Sequence, residues 1–234
     1  MENMCMFSDM HPLGMKVISP LDQAKEFHSL FGQDEWELLT TKKIEFDEIL
    51  HRVLGKLEDR NGTLVMSDWC HLDFIAQPFL ASPSYEMYTR DFLKANFELR
   101  EIFVARHPIP LWQNYCNLSN VDEHITVDEF LRGYRHFAEY AAEGTLFRCE
   151  DFAKNPDDVL TEVCEYFDIP FDPAYADNWP FNMRVTGDPN IRTLEARALE
   201  TLEAHVLKEL NPELTARMED NSDYPIILEL LGYE

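Results

Sequence analysis

The sequence predicts an α/β protein in which a parallel sheet is flanked by helices. Short apolar runs bounded by turn signals, typical of buried parallel strands, occur at residues 63–66, 99–105 and 145–149. Segments with apolar residues three and four positions apart, typical of amphipathic helices, alternate with these runs. Because strands that alternate with helices form parallel sheets, we expect helices on both faces of the sheet.

The predicted strands succeed one another along the chain with helices between and after them. Helices are predicted at residues 21–30, 44–57, 110–118, 127–142, 156–167, 194–210 and 226–231. Asn61-Gly62 ends the second helix, and Thr126 and Asn155 are the expected N-caps of the helices after them. The helix over 127–142 carries a stripe of aromatic residues, typical of a face buried in a core, at Phe130, Tyr134, Phe137 and Tyr140.

Composition limits the kinds of partner that the protein can bind. The chain has 20 Lys and Arg against 44 Asp and Glu, a formal net charge of −24. A surface this acidic repels phosphate backbones and anionic headgroups, and no block of basic residues overrides it. We therefore expect no nucleic-acid partner and no membrane partner, whereas a small neutral or cationic molecule is admitted more easily.

The chain is expected to form a single domain over residues 1–234. No internal repeat or low-complexity linker divides it, and this length is common for one domain. The five cysteines are scattered and form no Cys-x-x-Cys pair, which indicates reduced thiols. With no run of roughly 20 apolar residues and no secretory signal pattern at its start, the sequence predicts a cytoplasmic protein.

Polar residues directly after the predicted strands are the candidate ligand-binding groups, because ligands bind beyond the carboxyl ends of parallel strands. They lie at residues 67–71, 106–108 and 150–152. Arg106 ends a strand and opens a helix, so we expect its guanidinium beside free backbone donors, which suits a phosphate group. The alternative for Arg106 is a salt bridge with a nearby carboxylate. Glu150 and Asp151 are expected to cap the next segment or to pair with Arg148.

Several of these segments resemble the sulfotransferases that use 3′-phosphoadenosine 5′-phosphosulfate. Residues 103–109, with Trp112 and Asn114 after them, are similar to the segment by which that family holds the 3′-phosphate. The strand, loop and helix that come next in the family resemble residues 146–152, 155–160 and 169–173, and its late loop resembles 185–188. Order and spacing match over roughly residues 60–195. The resemblance implies a three-layer α/β/α fold like that of P-loop nucleoside triphosphatases.

The resemblance also implies a donor site. Arg106 and Asn114, where the family usually has serine, would hold the 3′-phosphate together with Gly187, Asp188 and Arg192. Gly187-Asp188-Pro189 is equally typical of an ordinary turn, and Arg192 of the first turn of a helix. No cluster of His, Cys and carboxylates has ligand spacing, so we expect no metal.

The catalytic base is expected just after the first predicted strand. His71 is the candidate base, because an imidazole titrates near neutrality. Asp68 is the second choice, either as the base or as the group that orients His71. The alternative for His71 is a side chain packed beneath Leu72 and Phe74. In strict register, Trp69 stands where the family usually has histidine, and Ser67 where it has a basic residue.

The amino terminus departs from the family. Sulfotransferases open with a strand and a Gly-rich loop that binds the 5′-phosphosulfate, and nothing before residue 63 matches them. Residues 10–12 resemble the family's segment after that loop and its helix, so we expect the first strand and the loop to be missing. The cause would be a late start codon or a natural variant, and homo-oligomerisation would then cover the open sheet edge.

The sequence therefore predicts an enzyme that transfers the sulfuryl group of 3′-phosphoadenosine 5′-phosphosulfate to a hydroxyl or amine of a small acceptor. The alternative is a non-catalytic relative, a binding or interaction protein, or an N-terminally truncated gene product. A nucleotide kinase or nucleoside triphosphatase is the weakest of these hypotheses, because Gly-Lys-Ser/Thr is absent.

Overall fold

The computed structural model describes residues 4–119, 121–179 and 211–233, without the side chains of 117–119. These residues group into two compact units. The first contains residues 4–73 and 86–99, and the second contains the remainder. Each unit has one pair of parallel strands within its described residues.

The first unit is built around β1 (Met4–Met10) and β2 (Thr63–Asp68). The two strands pair in parallel from Met4 opposite Thr63 to Met10 opposite Asp68, with an irregularity after Phe7 where Asp9 has a φ of 57°. Helices of this unit are α1 (Pro20–Glu26), α2 (Gln33–Lys42), α3 (Phe46–Glu58) and α5 (Tyr88–Lys94). The short helix α4 (His71–Phe74) comes after β2.

The core of the first unit lies between the strand pair and α3. Phe7 and Met10 of β1 are fully buried, as are Ile49, Leu50 and Val53 on one face of α3. Their three- and four-residue spacing places the α3 side chains on a single stripe. This packing brings the carboxyl ends of both strands, at Met10 and Asp68, to the same edge of the unit.

The second unit is built around β3 (Phe103–Ala105) and β4 (Leu146–Arg148), which pair in parallel from Phe103 opposite Leu146 to Ala105 opposite Arg148. Its helices are α6 (Pro108–Ser119), α7 (Val127–Ala142), α8 (Cys149–Lys154), α9 (Pro156–Phe167), α10 (Tyr175–Asn178), α11 (Pro212–Glu219) and α12 (Asp223–Leu231).

The central helix of the second unit is α7, which packs against α12. Its aromatic stripe is buried at Phe130, Tyr134 and Phe137, as the sequence predicts, while Tyr140 is half-buried. Gly133 permits a close approach, because a Cβ there would lie 2.0 Å from the carbonyl oxygen of Phe74.

Most of the predicted elements are confirmed. The helices over 127–142 and 156–167 have the predicted bounds, and the three predicted strands are present as β2, β3 and β4. Thr126 caps α7 with a complete capping box to Glu129. Asn155 lies at the N-cap of α9, but its side chain makes no capping hydrogen bond. The predicted helix over 194–210 lies outside the described residues.

The structure corrects one expectation about the amino terminus and adds helices that the sequence analysis did not predict. A strand, β1, does precede β2, so the expectation that the first strand is missing is wrong. The sequence does not predict helices α2, α4, α5, α8, α10 and α11. None of the helices in the described ranges is long and apolar enough to cross a membrane.

Candidate functional site

Arg106, the candidate phosphate ligand, comes directly after the last residue of β3 and is half-buried. A tyrosine hydroxyl from α7 holds its backbone. The hydroxyl of Tyr134 donates a hydrogen bond of 2.6 Å to the Arg106 carbonyl oxygen and accepts one of 3.2 Å from the Arg106 N–H. The position of Arg106 at the carboxyl end of a strand confirms the sequence-based placement.

The backbone donors beside Arg106 are already used, contrary to the expectation that they are free. The N–H of His107 donates to Oε1 of Glu150 at 2.9 Å. Pro108 and Pro110, at the start of α6, have no N–H to offer. The carboxylate of Glu150 therefore takes the position at the helix start where an external anion is expected.

A tyrosine near the carboxyl-terminal end of the sequence forms a hydrogen bond with Glu150. The hydroxyl of Tyr233 donates to Oε2 of Glu150 at 2.7 Å. Burial and the Glu150 charge both raise the pKa of Tyr233 far above its usual value, so the phenol stays neutral. The ring of Tyr233 also lies edge-on to the imidazole of His107, with centroids 5.2 Å apart.

The imidazole of His107 is packed among aromatic rings at the start of α6. Its Nδ1 accepts a long hydrogen bond of 3.4 Å from the N–H of Ile109, and Tyr224 lies edge-on with centroids 6.3 Å apart. Burial lowers the pKa of His107, although the charge of Glu150 opposes that effect. The imidazole is therefore neutral in this environment.

Arg148 and Asp151 form the ion pair that the sequence analysis offered as one role for the acidic residues after β4. Nε of Arg148 lies 2.6 Å from Oδ2 of Asp151. The same guanidinium donates to the carbonyl oxygen of Gly232 and lies over the ring of Tyr233 at 5.4 Å from its centroid. These contacts are structural, since they fasten the segment after α12 to the end of β4.

Asn114, the second candidate phosphate ligand, lies on α6 and is half-buried. Its position six residues after Pro108 places it about 9 Å further along the helix axis. Gly187, Asp188 and Arg192, the other candidates for the donor site, lie outside the described residues.

In the first unit, Asp68 ends β2, and both of its carboxylate oxygens are buried. Burial raises its pKa from 3.8 to about 6, against the effects of the Thr89 hydroxyl and the Trp69 N–H, which lower it. The Thr89 hydroxyl lies near enough to the Asp68 carboxylate to lower its pKa. Within the described ranges, however, neither that hydroxyl nor the carboxylate has a partner in hydrogen-bond geometry. A carboxyl in such a site exchanges its proton near neutral pH.

His71, the candidate base, is the first residue of α4 and is 8 % exposed. Because neither oxygen of Asp68 has a hydrogen-bond partner among the described residues, Asp68 does not orient His71 by a hydrogen bond. The orienting role expected for Asp68 therefore has no direct hydrogen bond behind it: Trp69 and Cys70 separate Asp68 from the start of α4, and its carboxylate is buried.

The histidine that sequence reasoning missed is His11, which is fully buried. Its Nδ1 accepts the N–H of Leu13 at 3.0 Å, so the ring proton lies on Nε2, which donates to Oδ1 of Asp73 at 3.1 Å. Its ring stacks on Tyr88 with centroids 5.6 Å apart. The charge of Asp73 raises the pKa of Asp68, so the pair formed by His11 and Asp73 lies near Asp68 at the strand ends.

The loop between β1 and α1, residues 11–19, is the strand-to-helix turn of the first unit. Four of its backbone N–H groups donate within the loop: that of Leu13 to Nδ1 of His11, that of Gly14 to the carbonyl of His11, and those of Val17 and Ile18 to the carbonyl of Gly14. The hydroxyl of Ser19 caps α1 by accepting from the Asp22 N–H. Lys16 is the exposed basic residue of this loop. The turn contains internal hydrogen bonds where an anion-binding loop has open amides.

Arg106 and Asn114 thus belong to the second unit, whereas Asp68 and His71 belong to the first. Each pair lies at or after the carboxyl end of a strand in its own unit. In the described part of the chain, no three His, Cys, Asp or Glu side chains are grouped closely enough to hold a metal ion.

Comparison with solved structures relates the whole fold to known proteins. The sulfotransferase domain of the olefin synthase of Synechococcus PCC 7002 is similar with a TM-score of 0.66 and 16% identity, over 95% of this chain and 78% of that one. The sulfotransferase domain of the curacin biosynthetic pathway is similar with a TM-score of 0.56 and 14% identity, over 99% and 98%.

Two comparisons of sequence found nothing: no protein-family model matches the chain, and no curated protein matches it. The structural likeness extends over nearly the whole chain, which agrees with the resemblance found in the strand-end segments. The chain has the α/β fold of sulfotransferase domains.

Proposed function

We propose that this protein is a sulfotransferase that moves the sulfuryl group of 3′-phosphoadenosine 5′-phosphosulfate to a hydroxyl or amine of a small acceptor. The observation that carries the proposal is Arg106, held at the carboxyl end of β3 within a fold shared with sulfotransferase domains. Ligands of parallel α/β sheets bind at that end of the strands.

Arg106 and Asn114 fit the 3′-phosphate by the chemistry of their side chains. A guanidinium offers a planar fork of donors that matches two phosphate oxygens, and the Asn114 amide adds another donor. Since Glu150 and the two prolines leave few backbone donors at the start of α6, the side chains carry most of the phosphate contact. Gly187, Asp188 and Arg192 remain candidates for the rest of this contact.

In the transfer step, the acceptor oxygen or nitrogen attacks sulfur in line while the bond from sulfur to the 5′-phosphate oxygen breaks. The products are the sulfated acceptor and adenosine 3′,5′-bisphosphate. The proton of the acceptor passes to a base, for which His71 is the first candidate. His71 is itself buried at 8 % exposure, and Asp68, whose two carboxylate oxygens are both buried, stays second.

A second function is favoured by the loop over residues 11–19. Because four of its N–H groups donate within the loop, fewer remain for a 5′-phosphosulfate than in a phosphate-binding loop with open amides. A chain that holds the 3′-phosphate but not the reacting group is a non-catalytic nucleotide-binding protein. That function keeps Arg106 and Asn114 in their roles and assigns none to His71.

Equilibrium binding of ³⁵S-labelled 3′-phosphoadenosine 5′-phosphosulfate tests the donor site. We expect Arg106→Ala to weaken binding roughly 10- to 150-fold, the range of a lost charge-assisted contact. Arg132→Ala, which removes an exposed arginine of α7, is the matched control and should bind like the unsubstituted protein. Absence of binding by the unsubstituted protein, or equal binding by Arg106→Ala, would overturn the proposal.

Turnover then separates the two functions. Release of adenosine 3′,5′-bisphosphate is measured with a phenol, a primary alcohol and a primary amine as acceptors. A sulfotransferase releases it faster with an acceptor than without one, and His71→Gln slows that release while donor binding is retained. Tight donor binding with the same slow release under all conditions would favour the non-catalytic function.

A further inference from the structure

We propose that Tyr134 is a positioning residue for Arg106, whose two backbone groups it holds through one hydroxyl. This inference rests on the function proposed above, because it gives Arg106 the task of presenting its guanidinium to the donor phosphate. Tyr134 acts through Arg106 and needs no contact with the nucleotide.

The hydrogen bonds at Arg106 differ from those of the strand before it. The ladder between β3 and β4 ends with Ala105 opposite Arg148, so Arg106 lies just beyond it. There the Tyr134 hydroxyl donates to the Arg106 carbonyl at 2.6 Å and accepts from the Arg106 N–H at 3.2 Å. A phenol has one proton to give and lone pairs to receive, so one side chain satisfies both groups.

Burial and ring packing within α7 fix the position of the Tyr134 hydroxyl. Tyr134 is 6% exposed and lies in the middle of α7, a helix with a complete capping box. Its ring is stacked with Phe130 at 5.7 Å and with Phe137 at 5.6 Å between centroids. Burial raises the pKa of Tyr134 well above its usual value, which keeps the proton needed for the short bond.

The next peptide group is held from a different element. The N–H of His107 donates to Glu150 of α8, and Glu150 also accepts from Tyr233. The backbone of Arg106 is therefore held by α7, and that of the next residue, His107, by α8. An arginine has several rotatable bonds, so a fixed backbone lowers the entropy that the side chain loses when it binds a phosphate.

Tyr134→Phe is the direct test, because it removes the hydroxyl and keeps the ring. We expect affinity for adenosine 3′,5′-bisphosphate to fall about 3- to 10-fold, as for one hydrogen bond. Hydrogen exchange at the Arg106 amide should become at least about tenfold faster. Tyr140→Phe is the matched control: it removes a hydroxyl from the same helix, and both bonds to the Arg106 backbone remain.

A double-variant cycle separates positioning from general stability. In the Arg106→Ala background, Tyr134→Phe should change affinity for the bisphosphate less than about twofold, because there is no guanidinium left to place. An equal loss in both backgrounds would show that Tyr134 serves the fold only and would overturn the inference. Unchanged affinity and unchanged exchange in Tyr134→Phe would overturn it as well.

Hydrogen exchange of the unsubstituted protein gives a test that needs neither ligand nor variant. The Arg106 amide should be protected at least about 100-fold although it lies beyond the strand, and exchange at the rate of an open chain would overturn the inference. If the unsubstituted protein binds no bisphosphate, the proposed function fails. The exchange measurement still decides whether Tyr134 holds Arg106.

Discussion

Nε2 of His11 lies 3.1 Å from Oδ1 of Asp73, and both side chains are buried. The other oxygen of Asp73 accepts the N–H of Tyr88 at 3.0 Å, and Nδ1 of His11 accepts that of Leu13 at 3.0 Å. The pair therefore fastens the loop after β1 to the segments around α4 and α5. It does so at the edge where Asp68 ends β2.

Removal of His11 is expected to weaken this junction. His11→Ala leaves one oxygen of Asp73 without its donor inside the protein and opens a cavity, at a cost of about 3 kcal/mol in free energy of unfolding. Urea denaturation measures the loss. His124→Ala removes an exposed histidine and should change stability by less than about 0.5 kcal/mol. Equal stability of His11→Ala and the unsubstituted protein would contradict the role of the pair.

The buried carboxyl of Asp68 predicts a specific pH dependence of stability. Burial raises its pKa from 3.8 to about 6, so between these values the folded chain keeps a proton that the unfolded chain has lost. Stability therefore falls as pH rises from about 4 to about 6, and the full cost above that range is about 3 kcal/mol. Asp68→Asn removes this fall.

The test compares unfolding free energies from pH 4 to pH 8. The difference between Asp68→Asn and the unsubstituted protein should shift in favour of the variant by about 3 kcal/mol across this range. Asp59→Asn, an exposed carboxylate at the end of α3, serves as the control. A difference that stays constant with pH would contradict a raised pKa at Asp68.

The bond from Tyr233 to Glu150 predicts that the carboxyl-terminal segment stabilises the end of β3. Tyr233→Phe removes the donor of a 2.7 Å hydrogen bond to a carboxylate, at an expected cost of about 1–2 kcal/mol. Chemical denaturation measures this cost. Tyr166→Phe, at a residue 39% exposed, should cost much less. Equal effects of the two substitutions would show that the Glu150 contact adds nothing.

The elements that the sequence predicts best combine periodicity with end signals. Thr126 and the aromatic stripe define α7 to the residue, and the Pro156 start defines α9. β1 escapes prediction because Ser8 and Asp9 interrupt its apolar run where the strand is irregular. Leu39 is the one buried residue of helix α2, so the sequence of this helix has little of the apolar periodicity that predicts an amphipathic helix.

The sequence predicts those site residues whose place follows from where a strand ends, but not the distant residues that bond to them. Arg106 is found because a strand ends there. Tyr134, in contrast, bonds to the Arg106 backbone from 28 residues away, and Glu150 bonds to the N–H of the next residue, His107, from 43 residues away. The sequence does carry one indication of the role of Tyr134: a tyrosine hydroxyl in a buried aromatic stripe needs a hydrogen-bond partner. His11 had no comparable signal, since its partner Asp73 is 62 residues away.

Thermal unfolding with and without adenosine 3′,5′-bisphosphate tests the central claim, a nucleotide site at Arg106, most directly. At 100 times its dissociation constant the ligand adds about 2.7 kcal/mol, and each kcal/mol raises Tm by roughly 2–4 °C for a chain of this size. We predict a saturable rise of roughly 5–10 °C. At the same ligand concentration it should persist in Arg132→Ala and be strongly reduced in Arg106→Ala. No rise at any concentration, or the same rise in Arg106→Ala, would contradict the claim.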